Sequence, residues 1–206
     1  MIQAEYIKNS VRIFPLTIDD AAWLSKVALK AYFDHYRHLW FDAGEWYAEK
    51  CFNVEQLRLE LSDENALFFG VEDDKEPLGF LKINQNYPLS KNRCQSDVLQ
   101  LETFDSEEIE NALELERIYL TKQGQGRGIG RMLVDYTFTI GQELQKEVVW
   151  LKAMDTSLEA IAFYEKMGFK TCATMRLTFE RMKPILRGMV AMKKNAPFTE
   201  VNEAAI

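Results

Sequence analysis

The chain predicts an α+β domain, on three observations. Apolar runs of strand length alternate with apolar stripes of helical spacing along the whole chain. Two of the strand-like runs sit back to back across a short charged turn, as a hairpin does. A glycine-rich segment then joins a strand to a helix at residues 125–131. With 206 residues, 47% of them hydrophobic and 28% charged, the chain suits one domain with a substantial core. Residues 1–193 are expected to form it, with 194–206 as an aperiodic tail.

The elements follow in order. Val11 to Leu16 fits a first strand, and Thr17-Ile18-Asp19-Asp20 reads as a helix start with acidic residues in its first turn. Ala21, Leu24, Val27, Ala28, Ala31 and Tyr32 recur at helical spacing, predicting a helix over about 18–34. His35 to Phe41 is an aromatic-rich break, read as a packed loop or a ligand contact. Residues 46–61 make a second helical segment, in one or two pieces. Strands are expected at 66–72 and 78–84, then a polar loop at 85–109, then a strand at 113–121. A helix over about 128–146, a strand at 147–154, a helix over about 157–167 and two final strands at 169–181 and 185–193 complete the pattern.

The segment Gln125-Gly126-Arg127-Gly128-Ile129-Gly130-Arg131 carries the chemistry. Glycines at alternate positions let backbone approach a ligand closely, and a helix start adds free N–H groups and partial positive charge. Phosphates bind such turns, and Arg127 and Arg131 would add full charges. The segment is not a P-loop, because Arg131 and Met132 stand where Lys-Ser or Lys-Thr is needed. It also lacks the G-x-G-x-x-G spacing of the dinucleotide fingerprint. On the loop alone, a merely tight turn is an equal reading.

Downstream, residues 148–169 read as strand, turn, short helix and glycine stop, with Ser157, Ala160, Phe163, Tyr164, Gly168 and Phe169 as marks. Together with Gln125-x-x-Gly128-x-Gly130, these residues resemble the two signature motifs of the GCN5-related N-acetyltransferases, the GNAT superfamily. Ser157 stands where that pattern commonly has Asn. The run 113–120 and the segment 160–169 are similar to bacterial spermidine/spermine N-acetyltransferases.

The resemblance implies an α/β/α sandwich, the GNAT acyl-CoA N-acyltransferase fold. Its central sheet is mixed and mostly antiparallel, with six to seven strands flanked by about four helices. It implies acetyl-CoA as cofactor, its pyrophosphate on the 125–131 loop and its pantetheine arm along the main chain of Ile118, Tyr119 and Leu120. Tyr164 matches the family's proton donor to the leaving thiolate, a phenol whose ordinary pKa of ~10 suits a thiol. Ser157 keeps a hydroxyl that can cap the helix at 158 or meet the cofactor. Glu114 and Glu116 alternate with Leu115, so both point to one face of a strand leading to the cleft. Glu116 is the candidate base and Glu114 a candidate anchor for a cationic acceptor, against the alternative of two exposed edge carboxylates.

The expected activity is acetyl transfer to a primary amine, polyamines first. The alternatives are acetylation of a protein N-terminus or lysine, and a non-catalytic coenzyme A-binding module. The acidic run Asp105, Glu107, Glu108 and Glu110 would suit a polyamine by long-range attraction. A net charge of −7 argues against non-specific nucleic-acid binding. No apolar stretch approaches the ~20 residues of a membrane span. Three scattered cysteines, without a C-x-x-C pair, favour a reducing cytoplasm over a disulfide framework. His35 and His38 lack the companions of a metal site, so none is expected. The family also makes a homodimer an expectation.

Overall fold

A computed structural model of the chain describes residues 5–8, 10–86 and 111–196. The expected 85–109 loop lies almost wholly outside them, as do Cys94, the acidic run 105–110 and residues 197–206. Eight strands form one sheet: β1 (Tyr6–Lys8), β2 (Val11–Pro15), β3 (Ala66–Asp73), β4 (Glu76–Asn84), β5 (Ala112–Leu120), β6 (Val148–Met154), β7 (Lys170–Arg176) and β8 (Gly188–Asn195). Their order across the sheet is β1-β2-β3-β4-β5-β6-β8-β7. Among the described residues five helices flank it: α1 (Ala21–His35), α2 (Glu45–Phe52), α3 (Val54–Leu61), α4 (Ile129–Glu143) and α5 (Leu158–Lys166).

The fold class is the expected one, with one strand more than the pattern gave. The extra strand β1 has three exposed residues paired to β2 and carries no apolar alternation to read. The second helical segment is two helices because Asn53, extended at φ −69° and ψ 155°, breaks it and caps α3 through Gln56 N–H. The β3–β4 hairpin turns at Asp74 and Lys75, both at positive φ, as a tight hairpin requires. β8 runs to Asn195, two residues into the stretch expected as tail.

Each face of the sheet has its own core. Leu113, Leu115, Ile129, Leu133, Ile140, Val149 and Phe169 pack on the α4–α5 face. Leu24, Ala28, Tyr32, Tyr47, Phe52, Leu57, Phe68 and Phe80 pack on the α1–α3 face. The helix α1 buries the expected stripe, with Ala21, Leu24, Val27, Ala28 and Ala31 all at most 2% exposed. Cys51 is fully buried in α2, and the half-buried Cys172 thiol lies 3.4 Å from the carbonyl of Ala191.

Two irregularities of β5 decide what happens at the centre of the sheet. Against β6, its one parallel neighbour, it pairs only from Ala112 to Leu115, facing Val148 to Leu151. Beyond that point the two strands share no rung, so their upper halves part. Against β4, the register jumps from Lys82↔Arg117 to Ile83↔Leu115, which leaves Glu116 as the extra residue of a β-bulge. A bulge reverses the side-chain alternation. Leu113 and Leu115 therefore face α4, whereas Arg117 and Tyr119 face α1–α3, and Glu114 and Glu116 stay on that second side. Four functional-group side chains from six consecutive residues thus reach one face.

Candidate functional site

The cleft between the parted strands opens into two cavities that meet. The larger is an open groove of about 1000 Å³, lined by Ile118, Tyr119, Leu120, Gln125, Gly126, Gly128, Ile129, Gly130, Arg131, Ser157 and Tyr164, among others. The smaller is a pocket of about 140 Å³ on the α1–α3 side. Tyr36, Ile118, Tyr119, Ser157, Ala160 and Tyr164 line both, so they mark the junction.

At the groove, the expected loop is built as its glycines require. Gly126 and Gly128 lie at φ +71° and +76°, and a Cβ added at either would meet nothing within 4 Å. The glycine is therefore needed for conformation, and the space above it is open to a ligand. The first intrahelical bond of α4 runs from Met132 N–H to Gly128 O. The N–H groups of residues 128–131 consequently have no helical acceptor and carry the positive end of a fifteen-residue helix. That is a cradle for a phosphate or pyrophosphate, and the residues present fit one. Arg131 lines it with a side chain 72% exposed. Arg127 does not: its guanidinium turns away and pairs with Asp73 of the β3–β4 hairpin, tying the loop to the sheet.

The end of α1 grips the segment leading into this loop, which the sequence did not reveal. Asp34 accepts a hydrogen bond from Lys122 N–H at 3.0 Å, and Lys30 reaches Gln123 Oε1 at 2.9 Å. His35 Nε2 lies 3.1 Å from the carbonyl of Leu120, which can only accept. That contact places the proton on Nε2, and leaves Nδ1 to accept from Gln125 Nε2 at 3.5 Å. Helix α1 therefore holds both the end of β5 and the start of the loop.

Tyr164 reaches the junction from α5, which stops where Gly168, at φ +89°, allows it. Gly168 N–H donates to Glu165 O at 2.9 Å and Phe169 N–H to Tyr164 O at 3.0 Å, the paired bonds of a Schellman stop. The Phe169 and Tyr164 rings pack at 5.7 Å across it. Burial, with a smaller contribution from the Tyr36 phenol, pushes the Tyr164 hydroxyl above its usual range, so it is a neutral donor at any physiological pH. Ser157 makes no side-chain cap bond to α5, contrary to the capping expected of it, and lines both cavities instead.

The carboxylates of β5 are buried rather than exposed at an edge. Glu114 is 1% exposed, accepts from Asn84 Nδ2 at 2.6 Å, lies 3.5 Å from Lys152 and lines neither cavity. The Glu116 side chain is 2% exposed and does line the pocket. It accepts from Asn84 at 2.6 Å and pairs with Lys82 at 2.9 Å and Arg117 at 3.0 Å. Glu60 of α3 closes the cluster, 2.7 Å from Lys82 and 3.0 Å from Arg117. Burial alone would raise the Glu60 carboxyl, but the Arg117 and Lys82 charges outweigh it and hold it below its ordinary value.

The rest of the pocket wall is aromatic and sulfur-rich. Tyr32, Trp40 and Tyr47, at most 4% exposed, stack in series, with Tyr32–Tyr47 and Trp40–Tyr47 centroids both 5.1 Å apart. Phe179 and Met182 come from the β7–β8 connection, which is pinned over the pocket by a Trp40↔Met182 bridge and by Lys183 N–H to Leu39 O at 2.9 Å. The aromatic break at 35–41 was visible in the sequence; its partner at 179–182 carried no signal. Among the described residues no three His, Cys, Asp or Glu side chains are grouped to hold a metal, and no helix is long and apolar enough to cross a membrane.

Comparison with known proteins agrees with this geometry. Residues 28–169, more than half of the chain, match the model of the Acetyltransferase (GNAT) family. An uncharacterized N-acetyltransferase in the pepI 3′ region of Lactobacillus delbrueckii subsp. lactis is 31% identical over 123 residues, 59% of this chain and 62% of that protein. The chain spans about three fifths of the length of the curated relatives it matches. Among solved structures, the PaiA N-acetyltransferase of Thermoplasma acidophilum in complex with coenzyme A superposes with a TM-score of 0.62 at 20% identity, over 90% of this chain and 99% of that one. The spermidine N-acetyltransferase SpeG of Vibrio cholerae gives 0.63 at 16% identity, over 92% and 95%. The chain belongs to the GNAT acetyltransferase family.

Proposed function

We propose that the protein is an N-acetyltransferase that takes its acetyl group from acetyl-CoA and gives it to a primary amine. The observation that carries this is the junction of an open groove, ending in a free-amide glycine cradle, with a smaller side-chain-lined pocket, and Tyr164 standing where they meet. Residues 126–131 would hold the pyrophosphate, with Arg131 adding charge. The edge of β5 at Ile118, Tyr119 and Leu120, unpaired on the β6 side, would hold the pantetheine arm. Arg127 contributes by bracing the loop through Asp73 rather than by touching phosphate. Acetyl-CoA would supply an activated acetyl thioester at the junction. The coenzyme A complex of the PaiA N-acetyltransferase, which shares the fold, supports the same cofactor.

The acceptor nitrogen forms the new C–N bond as the thioester C–S bond breaks. Of the two protons its ammonium gives up, one ends on the sulfur and one passes to solvent. Tyr164, neutral and half-buried, donates to the sulfur and is refilled from water. Glu116 is the one carboxylate on the pocket wall among the described residues, so it is assigned to the ammonium. Its charge is balanced by Lys82 and Arg117, so a proton resting there would break two buried ion pairs. It therefore orients the amine and passes the proton on rather than storing it. Glu114 acts behind it, through Asn84, which donates to both carboxylates.

Polyamines are supported by the sequence resemblance and by the fold shared with SpeG at 16% identity. The test is thiol release from acetyl-CoA with spermidine, spermine, monoamines, amino acids and lysine peptides as acceptors. Amine-dependent thiol release supports the reading. Coenzyme A raising the melting temperature with no acceptor turned over would overturn it, in favour of a non-catalytic binder.

A further inference from the structure

We infer that the amine acceptor is a monocation with an apolar body about the size of a benzene ring, an arylalkylamine or a branched alkylamine. This rests on the proposed acetyl transfer and puts a different acceptor class in place of the polyamine that the sequence resemblance suggests. Size is the first ground. The pocket holds about 140 Å³, and an apolar protein cavity of ~150 Å³ is known to take up benzene.

The wall is the second. Tyr32, Tyr36, Trp40, Tyr47 and Phe179 present rings to the cavity, and Met182 a thioether. Ring faces attract one ammonium, and they bury hydrocarbon favourably. They offer no anion to a second ammonium. Burial pushes the Tyr32, Tyr36 and Tyr119 hydroxyls above their usual range, so none is a phenolate at physiological pH.

Charge is the third. The ionised side chains on this wall, among the described residues, are Glu116, Arg117 and Lys152. Arg117 is paired with Glu60 and Glu116 at 3.0 Å, Lys152 lies 3.5 Å from Glu114, and Glu116 also pairs with Lys82 at 2.9 Å, so the charges at and behind this wall are balanced and leave no surplus carboxylate. The first ammonium of an acceptor can share Glu116. A second or third, as in spermidine or spermine, would add positive charge with no carboxylate left to balance it, in a site of low dielectric.

The experiment has two arms on the intact chain. Thiol release from acetyl-CoA is measured with 2-phenylethylamine, 3-methylbutylamine, spermidine and spermine. Binding of the same amines without cofactor is read by tryptophan fluorescence and melting temperature. The expected result is kcat/KM at least about tenfold higher for the two monoamines than for either polyamine, and saturable binding of the monoamines alone. Phe179→Ala, which shortens the outer wall, should raise KM for 2-phenylethylamine several-fold; an unchanged KM for it would overturn the aromatic wall as the acceptor site. Faster turnover of spermidine or spermine overturns the inference and leaves the acetyltransferase standing. Saturable monoamine binding without turnover supports the acceptor class while the proposed function falls. No monoamine binding in either arm overturns the inference outright.

Discussion

The groove and the pocket share a wall yet are built on opposite principles. The groove draws on main chain, the glycine amides, the start of α4 and the free edge of β5, from two short stretches, 118–131 and 156–164, with Ala31, His35, Tyr36 and His38 closing one side. The pocket is made of side chains from α1, α2, β5, β6, α5, β8, the 37–40 turn and the β7–β8 connection, and a buried charge cluster on α3, β4 and β5 backs it. Backbone recognition tolerates sequence change as long as the glycines remain. Side-chain recognition changes with every substitution. On the proposed function, the chemistry common to the family would lie in the groove and this protein's particular acceptor in the pocket.

Substitutions can break that contrast, and the largest effect is expected behind the pocket. Glu60→Ala leaves Lys82 and Arg117 facing Glu116 with half their anionic partners gone, and should cost about 3–5 kcal/mol in chemical denaturation. The same carboxyl gives the wild type a pH signature. Its folded-state pKa is depressed, so its contribution is fully present above the ordinary Glu value of ~4.3 and is lost as pH falls through the lowered one. Melting temperature should hold down to that region and then drop, and the drop should be blunted in Glu60→Ala. A variant as stable as wild type would mean the cluster is not what supports the pocket.

On the groove side, Gly128→Glu puts a side chain and a negative charge into the open space above the cradle, at φ +76°. Coenzyme A affinity should fall at least ~100-fold by calorimetry, about 2.7 kcal/mol, with the helical circular dichroism retained. Unchanged affinity would remove the loop from the cofactor site. At the junction, Tyr164→Phe keeps both ring contacts and removes the donor. Turnover should drop about 100-fold while coenzyme A affinity stays within about twofold. Because burial raises this phenol, the wild-type rate should show no loss from its ionisation below about pH 10. The smallest effect is expected where the two regions are wired together. His35→Gln disturbs the contacts to Leu120 and Gln125, and should weaken coenzyme A binding by about threefold to tenfold, the scale of one hydrogen bond. No change there would mean α1 packs beside the loop without holding it.

The unequal legibility of the two regions follows from the same physics. Gly126, Gly128, Gly168 and Tyr164 announce themselves because each local requirement, a positive φ, a free amide or a helix stop, falls within a few residues of its cause. Arg127 misled, because a charge beside a phosphate-type loop reads as a ligand contact until Asp73, fifty-four residues away, is seen to claim it. Glu114 and Glu116 were placed correctly on one face, yet their burial depends on Asn84, Lys82 and Lys152 from neighbouring strands. The bulge at Glu116, which also swings Arg117 and Tyr119 to that face, leaves no mark in apolar periodicity.

By itself, then, the sequence determined the order of elements, the glycine cradle, the residue at the junction and the family to which they belong. Each depends on backbone conformation over a few consecutive residues. Tertiary structure alone decided that β5 and β6 part after Leu115 and Leu151, that α1 clamps the loop, and that residues 179–182 roof the pocket. Those are contacts between segments up to 145 residues apart, fixed by packing and charge pairing that no local pattern encodes.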